Sequence, residues 1–220
     1  MLSMLYTHRS GNIFPTFFPQ LTWRKETEEK VIYLTFDDGP IPEITDFVLK
    51  TLESYQAKAT FFCVGENIVK YPEIFANILA QGHKIGNHTH NHINGWQHED
   101  EIYFNNIAKC QTEIEIHKQV NREDNSQKSK NLFRPPYGKI SISQIDNLVN
   151  DYEIVMWTVL SGDFDTNLEP IMCLEKTIYC TEKGAIVVFH DSFKAANTLK
   201  YVLPRFMDFF ANKGFRFEML

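Results

Sequence analysis

Along the chain, short apolar runs alternate with longer stretches in which apolar residues recur at helical spacing. Residues 31–36 form an apolar run of strand length. Ile44, Phe47, Val48, Leu52 and Tyr55 then recur every three or four residues, which predicts a helix. Residues 59–64 read as a second strand that Gly65 ends. Pro72 opens a helix carrying Ile74, Phe75, Ile78 and Leu79, and Gly82 closes it. Residues 84–86 make a short third strand, and Tyr103, Ile107, Cys110, Ile114 and His117 share one helical face. Residues 119–130 are the best loop candidate. Leu132 and Phe133 mark a fourth strand, and Ile145, Leu148 and Val149 a short helix. Residues 154–160 read as one fifth strand, followed by a helix over 168–182. A sixth strand spans 185–189, and a helix spans 199–210. Pro204 inside that helix must sit near its start or kink it. Residues 215–219 predict a last strand.

Alternating strands and helices imply a parallel sheet in an α/β fold. About seven βα repeats leave it either closed into a barrel or open and doubly wound. A full eight-stranded barrel takes about 250 residues. This chain has 220, so a barrel here would be reduced. Residues 1–30, with Phe14-Pro-Thr-Phe-Phe-Pro19 broken by prolines, read as an arm packing on the outside of the domain. Residues 31–220 then form a single domain.

Composition narrows the partners. Hydrophobic residues make up 43% of the chain, which is enough for a large core. Its 18 Phe mostly fill that core, while some aromatic rings can line a sugar groove by stacking on flat sugar faces. A net charge of −6 argues against nucleic acid, which needs a basic face. Cys63, Cys110, Cys173 and Cys180 form no CxxC pair and read as buried thiols of a reducing compartment. No apolar run is long enough for a leader or a membrane span, so the expected setting is cytoplasmic, without a membrane partner.

The reactive residues fall just after the predicted strands. They are Asp37 and Asp38, then His88 and His92, Arg134, Asp163 and His190. In parallel α/β folds the C-terminal strand ends form the functional face, so these groups should converge there. Asp37 and Asp38 lie between a buried strand and Gly39-Pro40; in isolation they read equally as a helix cap and a turn. His88 and His92, at i and i+4 of an expected helical turn, would point the same way and share a metal, with His90 turned elsewhere. Two imidazoles and one carboxylate leave coordination positions open, which is a catalytic arrangement. One aspartate would bind the metal and the other act as base. Tyr137 and neighbouring backbone N–H groups, beside Arg134 and two prolines, can polarise an acyl oxygen. Asp163 and His190 can form an acid pair in which the carboxylate orients the imidazole.

Together these residues resemble the polysaccharide deacetylase family, the NodB-homology carbohydrate esterases. The matching motifs are Thr35-Phe36-Asp37-Asp38-Gly39-Pro40, His88-Thr89-His90-Asn91-His92, Arg134-Pro135-Pro136-Tyr137, Ser161-Gly162-Asp163-Phe164 and Val187-Val188-Phe189-His190-Asp191, in that order. The resemblance implies a distorted (β/α) barrel of about seven strands. It also implies one divalent metal, zinc by preference with cobalt or manganese as alternatives, held by Asp38, His88 and His92. Asp37 would be the general base, steadied by Arg134. The Tyr137 amide would help hold the oxyanion, and Asp163 would orient His190, the general acid. The chain departs from the family in one motif: Leu160 stands where an aspartate is usual, and Phe164 where a tryptophan lines the groove. Leu160, Phe164 and Tyr137 are therefore the expected substrate-contacting residues.

The implied reaction is removal of N-acetyl groups from N-acetylglucosamine-type units of a polysaccharide or oligosaccharide. Two other hydrolytic readings use the same site: an O-acetyl polysaccharide esterase and a hydrolase of a non-sugar C–N bond. A different class, a carbohydrate-binding protein without catalysis, is disfavoured by the complete set Asp37, Asp38, His88, His92 and His190.

Overall fold

A computed structural model describes residues 7–11, 13–120 and 130–220. A short helix α1 (Ile13–Phe17) lies in the arm and precedes strand β1 (Val31–Asp37). Helix α2 (Ile44–Ser54), strand β2 (Thr60–Cys63), helices α3 (Gly65–Lys70) and α4 (Pro72–Ala80), and strand β3 (Lys84–Asn87) follow. Next come helix α5 (Asp100–Val120), strand β4 (Asn131–Phe133), helix α6 (Ile142–Leu148) and strands β5 (Tyr152–Ile154) and β6 (Val159–Leu160). Helix α7 (Pro170–Cys180), strand β7 (Ile186–His190), helix α8 (Ala196–Ala211) and strand β8 (Arg216–Glu218) complete the chain.

Seven parallel strands run in the order β5-β4-β3-β2-β1-β7-β6, and β8 pairs with β1 beside them. The sheet curls into a distorted (β/α) barrel that stays open between β5 and β6. Side chains alternate across it as the pleat requires. Phe61, Phe133 and Val187 face the helices, while Phe62, Leu132, Val155 and Ile186 meet inside the curl. All but one of these strand residues come from adjacent pairs in sequence, so a register slip of one residue would exchange the two cores.

The seam is where the strand pattern misled. The apolar run 154–160, expected as one strand, is split between the two rims of the sheet. Val155 and Met156 are buried like strand residues, so hydrophobicity alone does not mark the break. Their hydrogen bonds do: Val155 N–H still donates to Phe133 of β4, but the Met156 N–H donates to Thr22 of the arm. The arm fills the opening. Thr22 N–H donates to Ile154, Arg9 pairs antiparallel with Val159, and Arg24 pairs with Ala185.

Other elements differ in extent. The segment after Gly65, read only as a strand end, forms α3. Helix α5 continues to Val120, and residues 121–129 of the expected loop lie outside the described residues. Pro204 sits inside α8 rather than near its start; it leaves the helical ladder one N–H short. Cys63, Cys110 and Cys173 are buried free thiols, and Cys180 is half-buried. Among the described residues no helix is long and apolar enough to cross a membrane.

Candidate active site

Strand pairing brings the reactive residues to one end of the sheet. Asp37 ends β1 and is in register with His190, which ends the neighbouring β7. His88 follows the last residue of β3, Arg134 follows the last residue of β4, and Asp163 lies three residues beyond β6. A parallel sheet aligns all its C-terminal ends, so groups as far apart as residues 37 and 190 become neighbours.

Arg134 is fully buried, and every nitrogen of its guanidinium has a partner. Nε donates to the Val155 carbonyl at 3.1 Å and Nη2 to Met156 at 2.8 Å. Nη1 donates to Thr35 Oγ1 and to Asp37 Oδ1, each at 2.7 Å. The guanidinium also lies 4.1 Å over the Phe62 ring. Asp37 is thus a buried carboxylate whose partner cation is immobilised by four other contacts, and its Oδ2 is left facing His88 Nε2 at 4.0 Å.

Asp38, His88 and His92 form the one cluster of metal-ligating side chains found among the described residues, with ligand atoms within 4.8 Å of one another. Asp38 Oδ1 lies 3.2 Å from His92 Nε2 and 3.8 Å from His88 Nε2. That oxygen is buried, yet it has no hydrogen-bond geometry to any partner. A buried carboxylate oxygen without a partner is costly, and a cation answers that cost. Burial raises the Asp38 pKa, but His92, His190 and His88 outweigh it and hold the carboxyl well below its usual range. His88 Nδ1 donates to the Arg134 carbonyl at 2.7 Å, which leaves the Nε2 lone pair aimed at the cluster. Burial pushes the His88 pKa down to about 4, so the ring is neutral, the form that binds metal. His92 Nδ1 lies 3.0 Å from the Tyr137 hydroxyl, which orients the second ring in the same way. The donor set of two imidazoles and a carboxylate fits a divalent ion of the zinc kind.

The two histidines converge, but not on a helical turn. Residues 88–94 are a loop in which Thr89 and His92 have φ of 61° and 53°. Asn106 on α5 braces it by accepting from the backbone N–H groups of His90 and Asn91. Backbone bonding from the loop to α5 outcompetes the local helix that the i, i+4 spacing suggests. His90 does turn elsewhere and packs against Gly65. Asp38, Thr89, His92 and Tyr137 are four of the six non-glycine residues with positive φ among the described residues. Each such residue costs about 1–3 kcal/mol, which concentrates backbone strain at this site.

On the other side, Asp163 Oδ1 meets His190 Nδ1 at 2.8 Å, and Asp163 Oδ2 accepts the His190 backbone N–H at 2.8 Å. Burial favours the neutral His190 ring, but Asp163, with Asp38 and Asp37 behind it, outweighs burial and raises the pKa to about 9. The Phe164 ring stands edge-on to His190 with centroids 5.0 Å apart. Leu160 is half-buried in β6, and its backbone N–H and C=O both bond to His8 of the arm. Tyr137 is 58% exposed and has φ of 60°. The N–H groups of Gly138 and Lys139 close turns onto Pro135 and Pro136, and the Tyr137 N–H takes no part in either.

Asp191 follows His190 in the chain. It is fully buried, accepts the Gly39 N–H at 3.1 Å and meets Thr45 Oγ1 at 2.5 Å. Its own N–H donates to the Asp37 carbonyl. A Cβ on Gly39 would come within 2.0 Å of the Asp191 carboxylate, so only glycine fits there. Burial pushes the Asp191 carboxyl up to about 8. Asp191 thereby fastens the turn that follows Asp38 to the strand that carries His190. The signal was available: an aspartate beside a strand-end histidine is hard to bury without partners. Asp191→Ala should cost about 1–3 kcal/mol, since it strands the Gly39 N–H. Urea unfolding of the variant measures this, and an unchanged midpoint would refute it.

The family comparison agrees with this geometry. The sequence profile of the polysaccharide deacetylase family matches residues 24–157. The chain is 32% identical over 199 residues to a peptidoglycan-N-acetylglucosamine deacetylase of Bacillus cereus, covering 90% of this chain and 89% of that one. It is 30% identical over 177 residues to the peptidoglycan-N-acetylmuramic acid deacetylase PdaC of Bacillus subtilis; the match takes in 78% of this chain but 34% of that longer relative. Among solved structures, it resembles a peptidoglycan N-acetylglucosamine deacetylase crystallised with a naphthyl-substituted N-oxidanyl-benzamide. The TM-score is 0.82 at 28% identity, over 94% of each chain. With its motifs, its open parallel barrel and this match, the chain belongs to the polysaccharide deacetylase family.

Proposed function

We propose that this protein hydrolyses the N-acetyl group of N-acetylglucosamine-type units in a polysaccharide or oligosaccharide, using one divalent metal held by Asp38, His88 and His92. The observation that carries this reading is the buried, partnerless Asp38 Oδ1 beside the two imidazole Nε2 atoms. Peptidoglycan is the substrate class favoured by the names of the relatives.

A divalent ion bound there supplies Lewis acidity toward the acyl oxygen and lowers the pKa of a water molecule. Asp37, oriented by its 2.7 Å contact with Arg134, takes the proton of the attacking water. The Tyr137 N–H donates to the developing oxyanion. An amine anion is too basic to leave an acyl carbon, so His190, steadied by Asp163, gives its proton to the departing nitrogen. Phe164 packs against the imidazole of that acid, and the exposed Tyr137 ring offers a flat surface to a sugar.

Acetate release from matched N-acetyl and O-acetyl oligosaccharides, with zinc, cobalt or manganese added, tests the reading. Release from the N-acetyl set is the expected result. Activity confined to esters would replace the deacetylase with an esterase, and no release from either set would overturn the enzymatic reading.

The acid also sets a pH dependence. His190 must enter the reaction protonated, and its pKa is raised to about 9, so kcat should hold at neutral pH and fall as pH rises through about 9. The pH–rate profile of His190→Ala should lack this alkaline limb. If the limb persists in that variant, the proton comes from another group.

A further inference from the structure

The stretch that holds the acid's carboxylate is thinly supported by the sheet. Strand β6 has two residues and, among the described residues, one neighbouring strand, β7, through Val159↔Val187 and Leu160↔Val188. So short a rim strand is weak on its own. Its other edge is covered by the arm. The Leu160 N–H donates to the His8 carbonyl at 3.0 Å, and the Ser10 N–H donates to the Thr158 carbonyl at 3.1 Å. These two bonds bracket the antiparallel Arg9–Val159 pair. His8 Nδ1 adds a 3.1 Å contact to the Leu160 carbonyl. Beyond Leu160 the backbone runs straight into the acid dyad. Ser161 N–H is tied to Val188, Ser161 Oγ accepts the Asp163 N–H at 3.3 Å, and Asp163 grips His190 through both oxygens.

We infer that His8, Arg9 and Ser10 act as a positioning strand for the Asp163–His190 acid pair, holding β6 from the side that the open barrel leaves uncovered. The inference rests on the proposed role of His190 as the acid. Those three residues lie outside the stretch matched by the family profile. Their hydrogen bonds to Thr158 and Leu160 reach main-chain atoms and not a reacting group, so their effect is conveyed through the placement of Asp163. The sensitivity is steep, because a displacement of about 1 Å at a catalytic group can cost about 10²-fold in rate. Arg9 contributes little through its side chain, whose 2.8 Å ion pair with Glu182 is half exposed.

Proton donation matters more for an amide than for an ester, so the position of the acid has its own signature. Ser10→Pro deletes the N–H bonded to Thr158 and the hydroxyl that donates to the Trp157 carbonyl, and His8→Ala deletes the ring contact to Leu160. Both variants should lower kcat on an N-acetyl oligosaccharide, Ser10→Pro by about tenfold or more, and on the matched O-acetyl substrate by a clearly smaller factor. KM and the single equivalent of bound metal should hold. Arg24→Ala, at the other end of the arm, should leave the amide-to-ester ratio as in the parent protein. Equal losses on both substrates, an unchanged ratio in Ser10→Pro and His8→Ala, or the same ratio change in Arg24→Ala would each overturn the inference. Should Ser10→Pro fail to fold by circular dichroism, His8→Ala decides by the same criterion. A parent protein inactive on both substrates would instead sink the proposed function.

Discussion

Replacing Asp37 by asparagine is expected to abolish proton abstraction while leaving the metal in place. The amide is nearly isosteric, and its carbonyl still offers Arg134 Nη1 an acceptor where Asp37 Oδ1 now sits at 2.7 Å. The buried guanidinium keeps its bonds to Thr35, Val155 and Met156, so the interior of the curl stays filled. What disappears is a base. Removing a positioned general base costs roughly 10²–10⁴-fold in kcat. Asp38→Asn should behave differently, because Asp38 is the member of the pair that lies among the imidazole Nε2 atoms. Its metal affinity should drop. Metal content by elemental analysis, taken alongside kcat, separates the two. Equal metal loss in both variants would make both carboxylates ligands and would require another base.

His88→Ala and His92→Ala should each lose stoichiometric metal. Two of the three clustered ligands hold a divalent ion far more weakly than all three. His88 carries the larger expected effect, because its ring is buried and fixed by the 2.7 Å bond to the Arg134 carbonyl, whereas His92 is partly exposed. Thermal unfolding offers a readout that needs no substrate. An ion at a hundredfold excess over its Kd stabilises the native state by about 2.7 kcal/mol. The parent protein should therefore melt at a higher temperature when zinc is added, and His88→Ala should not. A full equivalent of metal in both histidine variants would remove this site from consideration.

How much of this was legible in the sequence can be judged residue by residue. Asp37, Asp38, His88, Arg134 and His190 were placed at strand ends from periodicity and residue type, and strand pairing does bring those ends together. The reason is general: a parallel βα repeat aligns every C-terminal strand end, whatever the exact strand limits. The i, i+4 spacing of His88 and His92 implied rings converging on a helical turn; the rings do converge, but a braced loop rather than a helix brings them together. Asp191 was overlooked because its partners, Gly39 and Thr45, lie about 150 residues earlier in the chain.

The sequence by itself determined the alternating α/β pattern, the parallel sheet and the placement of reactive residues at C-terminal strand ends, because these depend on local periodicity and chemical type. Tertiary structure alone decided where the barrel stays open. The run 154–160 is apolar at every position but Thr158, and nothing local distinguishes a strand from two strand ends joined across a seam. That distinction lies in the hydrogen-bond partners of residues 155–158, several of which belong to an arm more than 130 residues away in sequence. The same is true of the buried Asp38 oxygen without a partner and the His190 pKa near 9, since both arise from groups that meet only when the sheet has formed.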